Sequence, residues 1–234
     1  MSVKLVFLLV IHPATANAEI RGSAGIQSKY IWGGVLMDAG PVLQGSLEYI
    51  DATGLLLGTW FSTVDTGASG NNQVDVYAGY SGSSGRLDYE TGIVRHSFTG
   101  DGPTDNDADV NRAYFSGSLG PARLVLKSPL NDASWTSAGD VYASAGWVQA
   151  LPARLRLSGR AGFYYFADDA VFDNDSVAIP KQQSFAFRDA TFSLVHEMIH
   201  APVELGVHLT IGGERRDGSR LDDHVWFSIT ADLP

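Results

Sequence analysis

The sequence predicts an all-β protein, a transmembrane antiparallel up-and-down β-barrel of about 12 strands with short periplasmic turns and long extracellular loops. Three observations carry that prediction: a period-two pattern from Glu19 onward, an alternation of short and long connections, and an N-terminal export signal. The strand written Pro152 to Phe166 shows the pattern most clearly. One parity holds Ala153, Leu155, Leu157, Gly159, Ala161, Phe163 and Tyr165; the other holds Arg154, Arg156, Ser158, Arg160, Gly162 and Tyr164. Successive side chains of a strand point to opposite faces, so this strand has an apolar face and a cationic one. A soluble sheet would bury the apolar face; a membrane barrel would turn it to lipid and the arginines to a wet lumen.

The first residues fit export. Lys4 gives a positive start, Leu5 to Ile11 is apolar, and Ala16-Asn17-Ala18 is a small-x-small cleavage site. The expected organisation is a signal peptide over 1–18 and a barrel domain over 19–234. Twelve strands are expected near 20–32, 41–50, 54–64, 73–81, 86–98, 111–120, 122–128, 140–150, 153–166, 183–196, 202–212 and 223–232. The connections after odd-numbered strands are long and polar, and those after even-numbered strands are short. Three short turns resemble each other: Gly120-Pro121-Ala122-Arg123-Leu124, Leu151-Pro152-Ala153-Arg154-Leu155 and Ala201-Pro202-Val203-Glu204-Leu205. Proline fixes φ and donates no hydrogen bond, which suits a strand's first residue. That reading puts Arg123, Arg154 and Glu204 on the lumen parity at one rim. Outward apolar files recur at Leu43, Leu47 and Tyr49, at Val74, Val76 and Tyr80, and at Leu205, Val207 and Leu209. Parity is unclear for 54–64 and 183–196. Trp32, Trp60, Trp147 and Trp226 fall near strand ends, where aromatic girdles sit.

Composition agrees and excludes other classes. Charged residues make up 18%, below the quarter usual in soluble domains, and Gly is abundant at 26. After the N-terminus no apolar run approaches the ~18 residues of a membrane helix. A formal charge of −10 argues against nucleic-acid binding, and the absence of cysteine removes disulfides and thiolate metal sites.

Residues 28–82 resemble the TorF porin family of small Gram-negative outer-membrane proteins. The matching residues are Ser28-Lys29-Tyr30-Ile31-Trp32-Gly33-Gly34, Pro41-Val42-Leu43-Gln44-Gly45, Gly58-Thr59-Trp60, Val64-Asp65 and Val74-Asp75-Val76-Tyr77-Ala78-Gly79-Tyr80. The family usually has an acidic residue where Lys29 stands, an Arg-Gly pair near Gly33-Gly34, and a Tyr-Pro step where this chain has His96-Ser97-Phe98. The resemblance implies a β-barrel porin and says little about the permeant.

Several motifs compete with that reading. His196-Glu197-Met198-Ile199-His200 matches the zinc-protease pattern, which works only on a helix, with both histidines on one face. Pro202 follows two residues later and belongs to a strand-starting turn, so a strand end with solvated histidines is expected, and no metal. Asp101, Asp105, Asp107 and Asp109 crowd one loop and Asp168, Asp169, Asp173 and Asp175 another. The glycine and bidentate Glu of a calcium loop are missing, so both read as solvated acidic mouths.

The expected pore-lining residues are the cations Arg112, Arg123, Lys127, Arg154, Arg156 and Arg160, and the acids Glu48, Asp75, Asp88, Glu90 and Glu204. A basic wall facing or flanking an acidic wall would set a transverse field across a narrow pore. The expected function is passive diffusion of small hydrophilic solutes or ions, with no cofactor and no enzymatic chemistry. The expected partners are outer-membrane lipid, lipopolysaccharide and those solutes. A closed structural or adhesive barrel with partner-binding acidic loops is the alternative, and a barrel-embedded hydrolase with Ser and His facing lipid is third.

Overall fold

A computed structural model describes residues 18–64, 72–99, 108–167, 170–171 and 179–233. Among these residues every regular element is a strand, and no helix is long and apolar enough to cross a membrane. The expected signal segment, apart from Ala18, lies outside the described residues. So do Asp101, Asp105, Asp107, Asp168, Asp169, Asp173 and Asp175.

Twelve strands close into an antiparallel barrel. They are β1 (Glu19–Gln27), β4 (Val42–Ile50), β5 (Leu55–Thr63), β6 (Asn72–Ser84), β7 (Leu87–Thr99), β8 (Val110–Leu119), β9 (Ala122–Pro129), β10 (Val141–Leu151), β11 (Leu155–Tyr165), β14 (Phe185–Glu197), β15 (Val203–Gly212) and β16 (His224–Leu233). Two short hairpins lie outside the barrel wall: β2 (Tyr30–Trp32) with β3 (Val35–Asp38), and β12 (Ala170–Val171) with β13 (Ile179–Pro180). Each barrel strand pairs with its sequence neighbour, and β1 pairs with both β4 and β16, so no edge is left unpaired. All short turns lie at one end and all long loops at the other.

The outer face explains the low charge content. Ile20, Leu47, Val76, Ile93, Leu124, Phe192, Val207 and Phe227 point out of the barrel, each more than two-fifths exposed. Such residues ring the whole molecule, far beyond the few hundred Å² of apolar patch that a soluble monomer tolerates. A hydrocarbon surround satisfies that surface and also requires the closed hydrogen-bonded wall. The expected outward files match their strands, including Leu43, Leu47 and Tyr49 of β4 and Leu205, Val207 and Leu209 of β15.

Four features differ from the expectation. Gly82 and Ser83 were placed in a turn, but β6 and β7 pair as far as Ser84 and Leu87. Residues 28–41 hold not one strand end but a hairpin that folds inward, with Tyr30 and Ile31 buried. The tryptophan girdle fails: Trp60 and Trp226 are buried in the lumen, Trp32 is carried inward by its hairpin, and only Trp147 of the four points outward. Tyrosine and phenylalanine take the outer rims instead, with Tyr49, Tyr80 and Tyr89 toward the short turns. Toward the long loops, Phe163 stacks on Phe185 at 5.6 Å with Phe187 edge-on. Arg154, lastly, is not on the wall. Leu119 pairs with Ala122 across a two-residue turn, whereas Leu151 pairs with Leu155 across three residues. The extra residue leaves Ala153 and Arg154 in left-handed conformations (φ 59° and 57°) and exposed.

The two strands of unclear parity are resolved by packing. In β5 the inward residues are Leu56, Gly58, Trp60 and Ser62, an apolar lumen face. In β14 a bulge decides the pattern. Phe187 pairs with Phe163 and Asp189 with Gly162, so Arg188 is an extra residue. The bulge switches the parity of the strand and turns Asp189 into the lumen, where it is fully buried.

Candidate functional site

The lumen has two layers along the barrel axis. The layer near the short turns is partly exposed to water and holds Arg21, Glu48, Asp88, Glu90, Arg123, Arg156 and Glu204. The layer near the long loops is buried and holds Asp75, His96, Arg112, Asp140, Asp189 and Arg216. Every expected lumen residue except Arg154 therefore lies on the inner face.

In the wet layer charges are largely matched. Arg156 donates through Nη2 to both carboxylate oxygens of Glu204 (2.8 and 2.7 Å) and through Nη1 to Glu197 at 2.9 Å. Arg21 pairs with Glu19 at 2.7 Å and lies within the field of Glu48 and Glu90. Tyr77 donates to Glu48 at 2.6 Å. Arg123 folds back on the carbonyls of Gly120 and Ala122, and Asp88 accepts from Ser83, so both sit at the rim. Glu197, which pairs with Arg156, is the second residue of the HEMIH run, and Arg21 stands on the first strand. Neither was legible from spacing alone.

In the buried layer the partners come from the loops and from the bulge. Asp189 pairs with Arg160 at 2.7 Å and accepts from Tyr142 at 3.1 Å. Asp75 pairs with His96 at 2.9 Å and accepts from Gln73 at 2.8 Å. Asp140 accepts from Arg216 at 2.6 Å, from Thr136 and from the Ser137 and Ala167 amides. Arg188 donates to the Gly33 and Glu214 carbonyls and so ties the β2–β3 hairpin to the 213–222 loop. Lys127 stands opposite Tyr114 and Tyr142, within the fields of Arg112, Arg160, Asp75 and Asp189. Arg112 lies against the indoles of Trp32 and Trp135, its guanidinium carbon 4.5 and 4.4 Å from the ring centroids, while the two indoles meet edge to face at 4.8 Å.

This pairing revises the two-wall picture. Arg156 and Arg160 have carboxylate partners on their own side of the barrel, so β8–β11 do not form a bare basic wall. Beside the charges runs an apolar cluster of Tyr30, Val42, Leu56, Trp60, Val64, Tyr77, Val94 and Tyr114, each at most 4% exposed. It fills the β4–β8 side of the lumen. Tyr114 lies across the paired Gly79 and Gly92, where a Cβ on either would come within 2.9 Å of its hydroxyl.

The catalytic alternatives can be placed. His196 and Glu197 end β14 and Met198–His200 lie in the connection to β15, so the HEMIH run is not helical. Among the described residues no group of His, Asp or Glu could hold a metal ion. His208 lies between Ser193 (2.8 Å) and Ser228 (2.9 Å) and stacks on Trp226 at 3.8 Å. This set faces the lumen, not the lipid face where hydrolase residues were expected.

A closed barrel with an apolar belt, short turns at one end and a charged lumen is the architecture of outer-membrane porins. Two solved structures are similar in fold. The first is that of the NanC porin, with a TM-score of 0.53 at 10% identity, covering 92% of this chain and 100% of that one. The second is that of the KdgM porin in complex with disordered oligogalacturonate, with a TM-score of 0.53 at 8% identity, covering 92% of this chain and 99% of that one. The chain itself belongs to the Gcw_chp family, described as bacterial protein of unknown function, whose model matches residues 12–152. No curated protein matches it in sequence.

Proposed function

We propose that the protein is a porin-like channel of the Gram-negative outer membrane, passing small hydrophilic solutes or ions by passive diffusion. This is the role that the TorF-like residues of 28–82 imply. The observation that carries it is the wet, charged layer open toward the short turns, inside a barrel whose outer face is apolar all round. Twelve strands give a bore between the filled eight-stranded barrel and the open sixteen-stranded channel. The β2–β3 hairpin narrows it further at the long-loop end. Rings of charge at such a constriction set selectivity. Outer-membrane lipid and lipopolysaccharide are the surroundings in this reading, with the short turns periplasmic, and no enzymatic chemistry is assigned.

One observation favours a second reading. The apolar cluster packs the β4–β8 side of the lumen, and Trp32, Trp135 and Arg112 pack together toward the long loops, as a shut barrel with structural or adhesive work would require. Proteoliposomes separate the two. Pure refolded protein, shown by heat-modifiable migration to be a barrel, is placed in vesicles and challenged with small sugars. Swelling is expected; vesicles that stay osmotically tight while the protein is folded would favour the shut barrel.

A further inference from the structure

The guanidinium of Arg112 is the least satisfied charged group among the described residues. Its Cα pairs with Val94 and Pro129, and its side chain points into the lumen at 2% exposure. Trp32 from the β2–β3 hairpin and Trp135 from the 130–140 loop meet edge to face, 4.8 Å apart, and lie side by side against the guanidinium. Nε and Nη2 are buried and hydrogen-bond to nothing. An unpartnered buried donor is costly, and more so on a charged group. The neighbouring acids bond elsewhere: Asp75 to His96 and Gln73 through Oδ1 alone, its buried Oδ2 having no partner, Asp140 to Arg216, and Asp189 to Arg160 and Tyr142. Nε and Nη2 lie on one side of the guanidinium and direct two parallel N–H bonds, the spacing that two oxygens of a carboxylate or phosphate match. Lys127 adds positive charge from the adjoining strand β9, and Arg160 of β11 acts on Lys127 in turn.

We propose that the free edge of Arg112, beside Trp32 and Trp135, is an oxyanion-binding site for the carboxylate or phosphate group of a solute in the lumen. It rests on the channel reading for the solute's route but not for its chemistry. Solvent does not reach the two nitrogens, so binding requires the packing around Arg112 to open. Trp32 and Trp135 also provide the signal, because two of the five tryptophans lie against the binding group.

The test is a titration of tryptophan emission from the refolded full chain in detergent micelles. Sodium acetate, sodium phosphate and sodium chloride are compared at equal ionic strength. A saturable change with acetate or phosphate, and none with chloride, is expected; the arm that saturates at lower concentration identifies the oxyanion. No saturable response to either, or an equal response to chloride, overturns the site. Arg112→Lys keeps the charge and loses the fork, and should weaken the response about tenfold or more. Arg123→Lys, at the rim, should leave it unchanged. The wild-type arms decide the matter even if the Arg112 variant does not fold. Saturable binding in a protein that passes no solute would keep the site and sink the channel; conduction without binding would do the reverse.

Discussion

Asp189 shows how much of the lumen depends on single residues. It is fully buried, its partner Arg160 is nearly so, and Tyr142 completes the group. Removing one partner of a buried pair leaves an uncompensated charge, which costs about 3–5 kcal/mol. Asp189→Ala should therefore lower the urea midpoint of the refolded barrel, and Arg160→Met with Asp189→Leu together should recover much of the loss. A double variant as unstable as the single one would show that the site needs charge for another reason. Arg156 makes the opposite kind of contact. It is partly solvated at the rim, so Arg156→Glu should fold normally while adding a third carboxylate beside Glu197 and Glu204. The expected outcome is a shift of the reversal potential toward cation preference in a salt gradient; an unchanged potential would remove Arg156 from the selectivity account. At this scale the sequence was partly legible. Alternation alone put all eleven candidate charges on the inner face, and ten of them lie there, all but Arg154. It could not show their partners, because ion pairs between β11 and β15 or across a loop depend on register and loop path. Asp189 was hidden further by the bulge at Arg188, which breaks the alternation that strand reading relies on.

At the level of elements, turns and hairpins made the differences. The turn at Pro152–Arg154 holds two non-glycine residues at positive φ, each strained by about 1 kcal/mol. Ala153→Gly or Arg154→Gly should stabilise the barrel by a few tenths to about 1 kcal/mol in urea unfolding. A loss of stability would mean that the Arg154 backbone, whose carbonyl accepts from Glu197, matters more than the strain. The proline repeat in the sequence suggested three equivalent turns, but one extra residue is enough to move a side chain off the wall. The β2–β3 hairpin was read as a strand end because Tyr30, Ile31 and Trp32 have strand character. Their destination, the inside of the barrel, is set by tertiary partners: Gln73 for Tyr30, and Arg112 and Trp135 for Trp32. Trp32→Ala removes one of the two indoles packed on Arg112 and should raise conductance; an unchanged conductance would show that the hairpin does not limit the bore.

For the whole molecule, the architecture was the most legible level, and the reason is physical. A barrel in lipid must alternate along every strand and close on itself, so its pattern is written across the whole chain. The amphipathic strand Leu155–Tyr165 fits this, with Phe163 and Tyr165 outward and Arg156 and Arg160 within. The contents of the lumen were much less legible. The apolar cluster on β4–β8 uses residues that, one strand at a time, look no different from a lipid-facing file. The barrel therefore combines a wet charged half with a packed half, and its function turns on whether solutes pass the packed half. Single-channel recording of the pure refolded protein in a planar bilayer tests this most directly. The account predicts discrete, reproducible conductance steps, small for a porin because of the β2–β3 hairpin. A folded, inserted barrel that gives no steps under any applied voltage would contradict it.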